Sequence, residues 1–178
     1  MPANLNLLIP EFRKKVDQLL EKCRYQGIIM VPYCTLRDPY TQARLWRQSR
    51  SKAIIQKKIN ELKEKEAPFL ANCIESVGPQ SGPHVTNAIP GLSWHQWGEA
   101  VDCYWLATGS IIWDINAKVN GINGYQVYAE EAVKLGLTAG HFWRKLKDSP
   151  HIQFRQSISP LDIYPIEQID NYILACFQ

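Results

Sequence analysis

A chain of 178 residues is long enough for one domain with a full hydrophobic core and short for two, so it reads as a single domain over residues 1–178. With 46% hydrophobic and 21% charged residues it sits in the ordinary globular range, which excludes a disordered or fibrous chain. A formal charge of +3, with Lys and Arg mixed among Asp and Glu, makes no demand for nucleic acid. No apolar stretch nears the ~20 residues of a membrane helix, and the N-terminus shows no charged segment leading into an apolar run and a small-residue cleavage site. The five cysteines are odd in number and form no C-x-x-C pair, so buried free thiols are expected rather than a disulfide framework.

Pro10 and Glu11 open a helix whose apolar residues Phe12, Val16, Leu19, Leu20 and Cys23 recur at helical spacing until Gly27 stops it. Ile28 to Tyr33 reads as a strand. Asp38 and Pro39 form an N-cap and first-turn pair, which puts Arg37 where a strand end meets a helix start. Ser51 to about Val77 is helical and highly charged, with Ile55, Ile59 and Leu62 as its apolar stripe and a break or kink at Pro68. Gly78 to Gly91, with three glycines and three prolines, is a loop that delivers the chain to Ser93-Trp94-His95. Glu99 to Trp105 alternates as a strand, with Ala100, Asp102 and Tyr104 on one face and Val101, Cys103 and Trp105 on the core face. Tyr125 to Leu135 has helical spacing and ends at Gly136, and His151 to Phe154 is a second short strand. A last amphipathic helix carries Ile166, Ile169, Tyr172, Ile173 and Phe177, and is expected to pack back as a lid on the core.

Chemistry concentrates in two places. His95 and Asp102 stand with six residues between them and Gly98 in the gap, a loop-to-strand passage that can bring both side chains to one point. Further on, Asp148-Ser-Pro-His151 sets a second imidazole at the start of a strand with a carboxylate three residues ahead of it. His95, Asp102 and His151 supply two nitrogens and one oxygen, a zinc set that leaves a fourth tetrahedral position open for water, as catalytic zinc sites do. Amide hydrolysis at such a metal needs a carboxylate to take the water's proton, for which Asp148 is the candidate, and a permanent cation for the oxyanion, for which Arg37 is. Taken singly, each has a structural reading: a His near a strand is commonly a satisfied polar group, and an Asp commonly caps a turn. His84 and His141 fit no such spacing, and His141 is a candidate for substrate contact. Trp94, Trp97, Trp105, Trp113 and Trp143 are candidates for core or pocket wall, or for a substrate platform. Cys103, turned away from Asp102 by alternation, is read as core.

The segment Ser93-Trp-His-Gln-Trp-Gly-Glu-Ala-Val-Asp102 meets the pattern Ser-x-His, two residues, Gly-x-Ala-x-Asp, and so resembles the zinc peptidases of peptidoglycan. These include D-alanyl-D-alanine carboxypeptidases, vancomycin-resistance dipeptidases and the L-alanyl-D-glutamate endopeptidases of phage endolysins. The resemblance runs over about residues 10–155, takes in Val85 to Ser93, Gly136 to Gly140 and Trp143, and leaves 156–178 as an extension. It implies an α+β fold, a small antiparallel sheet flanked by helices. It also implies His95, Asp102 and His151 as ligands of Zn2+, Asp148 as general base, and Arg37, followed five residues on by Gln42, as the group that steadies the oxyanion. Gln42, Ser93, Trp94 and His141 are then expected at the substrate. Asp148, where the carboxypeptidases more often carry Glu, favours an L-alanyl-D-glutamate endopeptidase acting on stem peptides; a D-alanyl-D-alanine carboxypeptidase, a non-catalytic wall-binding module and a hydrolase of other small peptides stay open. Such a protein is expected to be made in the cytoplasm and to act on the wall after lysis or unconventional export. Oligomeric state is not legible.

Overall fold

The computed structural model describes residues 3–178. Among them are six α-helices and a five-stranded sheet whose neighbouring strands all pair antiparallel, the α+β class expected. The chain divides into two compact units, one made of the chain up to Leu36 with Trp97–Gln156, the other of Arg37–Gln96 with Ser157–Gln178.

The first unit holds the sheet, with α1 (Pro10–Tyr25), β1 (Ile29–Cys34), β2 (Ala100–Ala107), β3 (Ser110–Ile112), α5 (Gly124–Lys134), β4 (Thr138–Ala139) and β5 (His151–Gln153). Strand order is β1-β2-β5-β4, with β3 hairpinned onto β2. Alternation along β2 works as expected: Val101, Cys103 and Trp105 are buried against Phe12, Val16 and Leu19 of α1 and Tyr125 and Tyr128 of α5 in one cluster. Fully burying side chains of this size contributes about 1.5–3 kcal/mol each. At Gly98 φ is +66°, and an added Cβ would lie 2.9 Å from the Leu7 carbonyl, so the turn into β2 admits no side chain. The Gly98 carbonyl accepts from the Ile9 amide at 3.0 Å, which pins the start of α1 to that turn.

The second unit is helical: α2 (Pro39–Arg47), α3 (Lys52–Glu64), α4 (Pro68–Ser76) and α6 (Ile166–Phe177). Asp38 and Ser51 cap α2 and α3 through their side chains, as those residue types do. The helical run read over 51–77 breaks ahead of Pro68, as expected, into two helices, with Glu66 in a left-handed φ of 57° at the break. The last helix departs from expectation. Ile169 and Ile173 are fully buried but lie outside the sheet cluster, and α6 packs on α4, where buried Asp170 accepts from the amides of Phe69 (3.3 Å) and Leu70 (2.7 Å).

The cysteines correct one expectation in part. All five are free, but only Cys23, Cys73 and Cys103 are buried; Cys34 is half-buried and Cys176 exposed, because β1's end and α6's outer face do not enter a core. Among the tryptophans named from the sequence, Trp94 and Trp105 are core, Trp97 and Trp143 are half-buried, and Trp113 is 55% exposed. No helix among the described residues is long and apolar enough to cross a membrane.

Candidate active site

Register brings two of the three predicted ligands together. Asp102 lies opposite His151 in the β2–β5 ladder, and both side chains are buried. Asp102 Oδ1 and His151 Nδ1 stand 2.9 Å apart. Gln153, two residues on and so on the same face, is 1% exposed and was not singled out in the sequence. Its amide nitrogen donates to the Arg155 carbonyl at 2.8 Å, which turns its Oε1 toward His151 Nε2 at 3.2 Å. Both ring nitrogens of His151 therefore face oxygens, Asp102 Oδ1 and Gln153 Oε1, which hold the ring in one orientation on the sheet face. An imidazole nitrogen and a carboxylate oxygen side by side are donor types that a zinc ion takes.

Asp148 is held by its backbone. Its amide donates to the Gly140 carbonyl at 3.0 Å and its carbonyl accepts from the His151 amide at 3.1 Å. At Gly140 an added Cβ would come within 2.4 Å of the Asp148 carbonyl and 3.2 Å of His151 Cβ, so a glycine is required for the loop to close over β5. Both Asp102 and Asp148 act on Tyr33, whose phenol is pushed up first by desolvation and then by these two negative charges. Tyr33 stacks on Tyr104 with centroids 6.2 Å apart, and Trp113 meets Tyr33 edge-on at 5.4 Å. These three rings form an aromatic patch on the Asp102 face of the sheet that the sequence did not reveal as a set. The Trp143 ring lies 5.2 Å from that of His151.

His141, read as a substrate contact, is buried, with Nδ1 2.9 Å from Ser149 Oγ and Nε2 3.3 Å from Gln126 Oε1. Burial, and then the Lys147 charge, hold its pKa below the usual value. Its ring is therefore a neutral brace beneath the 148–151 loop. His84 sits on the exposed 78–91 loop, 3.0 Å from Asn87 Oδ1.

The helical unit carries the remaining predicted residues. His95 is 2% exposed in a 3-10 turn over Trp94–Trp97, and its carbonyl accepts from the Arg37 amide at 3.2 Å. Arg37 Nη1 donates to Gln42 Oε1 at 3.0 Å, and fully buried Gln42 spends its Nε2 on the Ala88 carbonyl at 2.8 Å. The Arg-to-Gln spacing is thus a clamp: Gln42, on the first turns of α2, ties the guanidinium to the 78–91 loop. Ser93 is half-buried, and Trp94 is buried with Nε1 donating to the Ser157 carbonyl at 2.9 Å.

Comparison with known proteins gives three likenesses. Over 77 residues the chain is 36% identical to the peptidoglycan L-alanyl-D-glutamate endopeptidase CwlK of Bacillus subtilis (strain 168), a match covering 42% of this chain and 46% of the relative, so the chain spans about half the length of that curated relative. Among solved structures, the Serratia marcescens L-Ala D-Glu endopeptidase ChiX is similar at 18% identity and a TM-score of 0.43, covering 85% of this chain and 84% of that one. A mutant of the vancomycin resistance D,D-pentapeptidase VanY from a VanB-type cassette, in complex with Zn(II), is similar at 17% identity and a TM-score of 0.45, covering 85% and 74%. A family profile described as VanY, D-alanyl-D-alanine carboxypeptidase, matches residues 6–153, most of the sheet unit and of the helices α1 to α5, and the chain belongs to that family.

Proposed function

We propose that the chain is one zinc peptidase domain that hydrolyses peptidoglycan stem peptides, cutting between L-alanine and D-glutamate. The observation that supports the metal is the adjacent pair of ligand-type atoms, His151 Nδ1 and Asp102 Oδ1 at 2.9 Å, with Gln153 Oε1 against the other ring nitrogen. One nitrogen and one carboxylate oxygen are donors that zinc takes, and Gln153 backs the imidazole. His95, seven positions before Asp102 in the family motif, supplies the second nitrogen. A bound zinc supplies Lewis acidity for amide hydrolysis.

The chain's own groups do the rest. Asp148 takes the proton from the attacking water at its carboxylate and returns it to the amine that leaves. Arg37 faces the negative charge that develops on the carbonyl oxygen, and Gln42 holds the guanidinium in one orientation so that no reorganisation is needed during reaction. The Tyr33, Tyr104 and Trp113 rings offer an apolar wall to the peptide. The preference for L-alanyl-D-glutamate rests on the CwlK likeness and on Asp148 itself; the family profile, described by its carboxypeptidase, supports release of terminal D-alanine as the second reading.

Digestion of purified peptidoglycan with and without a chelator, followed by mass spectrometry of the muropeptides, tests both. New amino groups on glutamate, lost with chelator, are expected. Free D-alanine instead establishes the second reading, and a wall that is bound but uncut reduces the protein to a binding module.

A further inference from the structure

The end of β1 adds a third ligand-type side chain to the Asp102–His151 pair. Along β1 the register with β2 runs Met30 opposite Trp105, Val31 opposite Tyr104 and Pro32 opposite Cys103, then shifts so that Cys34 faces Asp102. Continued without a break, it would set Tyr33 there. The chain inserts one residue instead, and Tyr33 stays on the same face by stacking on Tyr104. Two residues against one is a β-bulge, a device that re-aims side chains beside functional sites. Here it turns Cys34 to Asp102: Sγ and a carboxylate oxygen of Asp102 lie within 4.8 Å of each other. Since Asp102 is also the register partner of His151, a thiol, a carboxylate and an imidazole stand abreast on three neighbouring strands.

Cys34 is thus not an isolated cysteine, because its sulfur and the Asp102 carboxylate are both metal-ligand types and lie near each other. Zinc accepts thiolate sulfur at ~2.3 Å and carboxylate oxygen at ~2.1 Å, which for tetrahedral ligands puts oxygen and sulfur about 3.6 Å apart. The observed limit of 4.8 Å allows that after a small rotation of either side chain.

We propose that Cys34 is a further donor to the cation held by Asp102 and His151, so that the resting site is closed by a thiolate. Binding releases the thiol proton to solvent, and turnover requires the thiolate to yield its place to water. This rests on the metal reading given above.

Cobalt substitution of the full-length protein tests it, in a Cys176→Ser background that removes the exposed thiol. A thiolate-to-cobalt charge-transfer band in the near ultraviolet is expected, lost in Cys34→Ser while the visible ligand-field bands persist. Metal retention against a chelator should fall at least about tenfold in that variant. In the parent itself, zinc should protect Cys34 from alkylation, a measurement that needs no variant at all. Stoichiometric cobalt whose spectrum depends on His151 but lacks the charge-transfer band, with alkylation indifferent to zinc, overturns the role of Cys34 and leaves the ligand reading intact. A protein that takes up no cobalt overturns both.

Discussion

The two units place reactive side chains by different means. In the sheet unit, position follows from register: Asp102 faces His151 because the β2–β5 ladder pairs them, and a slip of one residue would turn both away. In the helical unit no ladder exists, and Arg37 and His95 sit on irregular backbone held by an amide-to-carbonyl bond and by the Gln42 clamp. Placement by a ladder resists single substitutions outside the site, because many backbone bonds share the task. Placement by a clamp rests on one or two side chains, and substitutions there should disturb turnover without touching metal binding.

The sharpest way to break that comparison is His151→Ala. It removes a donor from the ladder pair, so metal content and activity should vanish together, with turnover down by about three orders of magnitude or more. Full zinc stoichiometry in this variant, read by atomic absorption, removes His151 from the ligand set. Asp148→Ala should instead keep the metal and lose about 10²–10⁴-fold in kcat, the ordinary worth of a positioned base. Unchanged turnover ends its assignment.

In the helical unit, Arg37→Ala should lower kcat by about 10²–10³-fold with metal retained. Gln42→Ala leaves the guanidinium charge but not its orientation, so a smaller loss of kcat at unchanged zinc content is expected. A variant of Gln42 that sheds zinc would show that the clamp reaches further than Arg37. Gln153→Ala is the matching change in the sheet unit. It should weaken zinc about 10–100-fold by releasing the His151 ring, while the ladder and the thermal midpoint stay near those of the parent. Equal zinc affinity in Gln153→Ala removes Gln153 as the group that orients the ring.

Legibility from the sequence followed the same division. Strand alternation placed Val101, Cys103 and Trp105 in the core and Asp102 on the other face, and helical spacing found α1, α2, α5 and α6 with caps or stops at Asp38 and Gly136. The 93–102 motif and the 148–151 pair were legible because their spacing is local. Long-range pairing was not. Nothing near Cys34 in the sequence announces a bulge, since the register that creates it is set by a strand seventy residues away. Gln153 was visible on the His151 face, yet its importance comes from the Arg155 carbonyl that orients it. The burial of His141 likewise depends on Ser149 and Gln126, which no local pattern links to it.

The smallest expected effect comes from the feature of the helical unit that sequence rules miss most completely. Helix α4 starts at Pro68 behind Ala67, which has no side chain able to cap. The cap comes instead from Asp170 on α6, whose carboxylate accepts from the Phe69 and Leu70 amides while being 2% exposed. It also opposes the positive end of the helix dipole. Burial pushes its pKa up against the pull of those two hydrogen bonds, so the carboxyl is under tension between solvent exclusion and capping. Asp170→Ala should therefore cost about 1–2 kcal/mol of stability, the usual worth of a lost cap, or roughly 2–8 °C in Tm for a chain of this size. Zinc content and kcat should not change, since none of the groups assigned to metal or substrate touches Asp170. A fall in kcat at temperatures well below the new Tm would mean that the packing of α6 on α4 governs the Arg37 clamp, and that the helical unit is held less locally than its hydrogen bonds indicate.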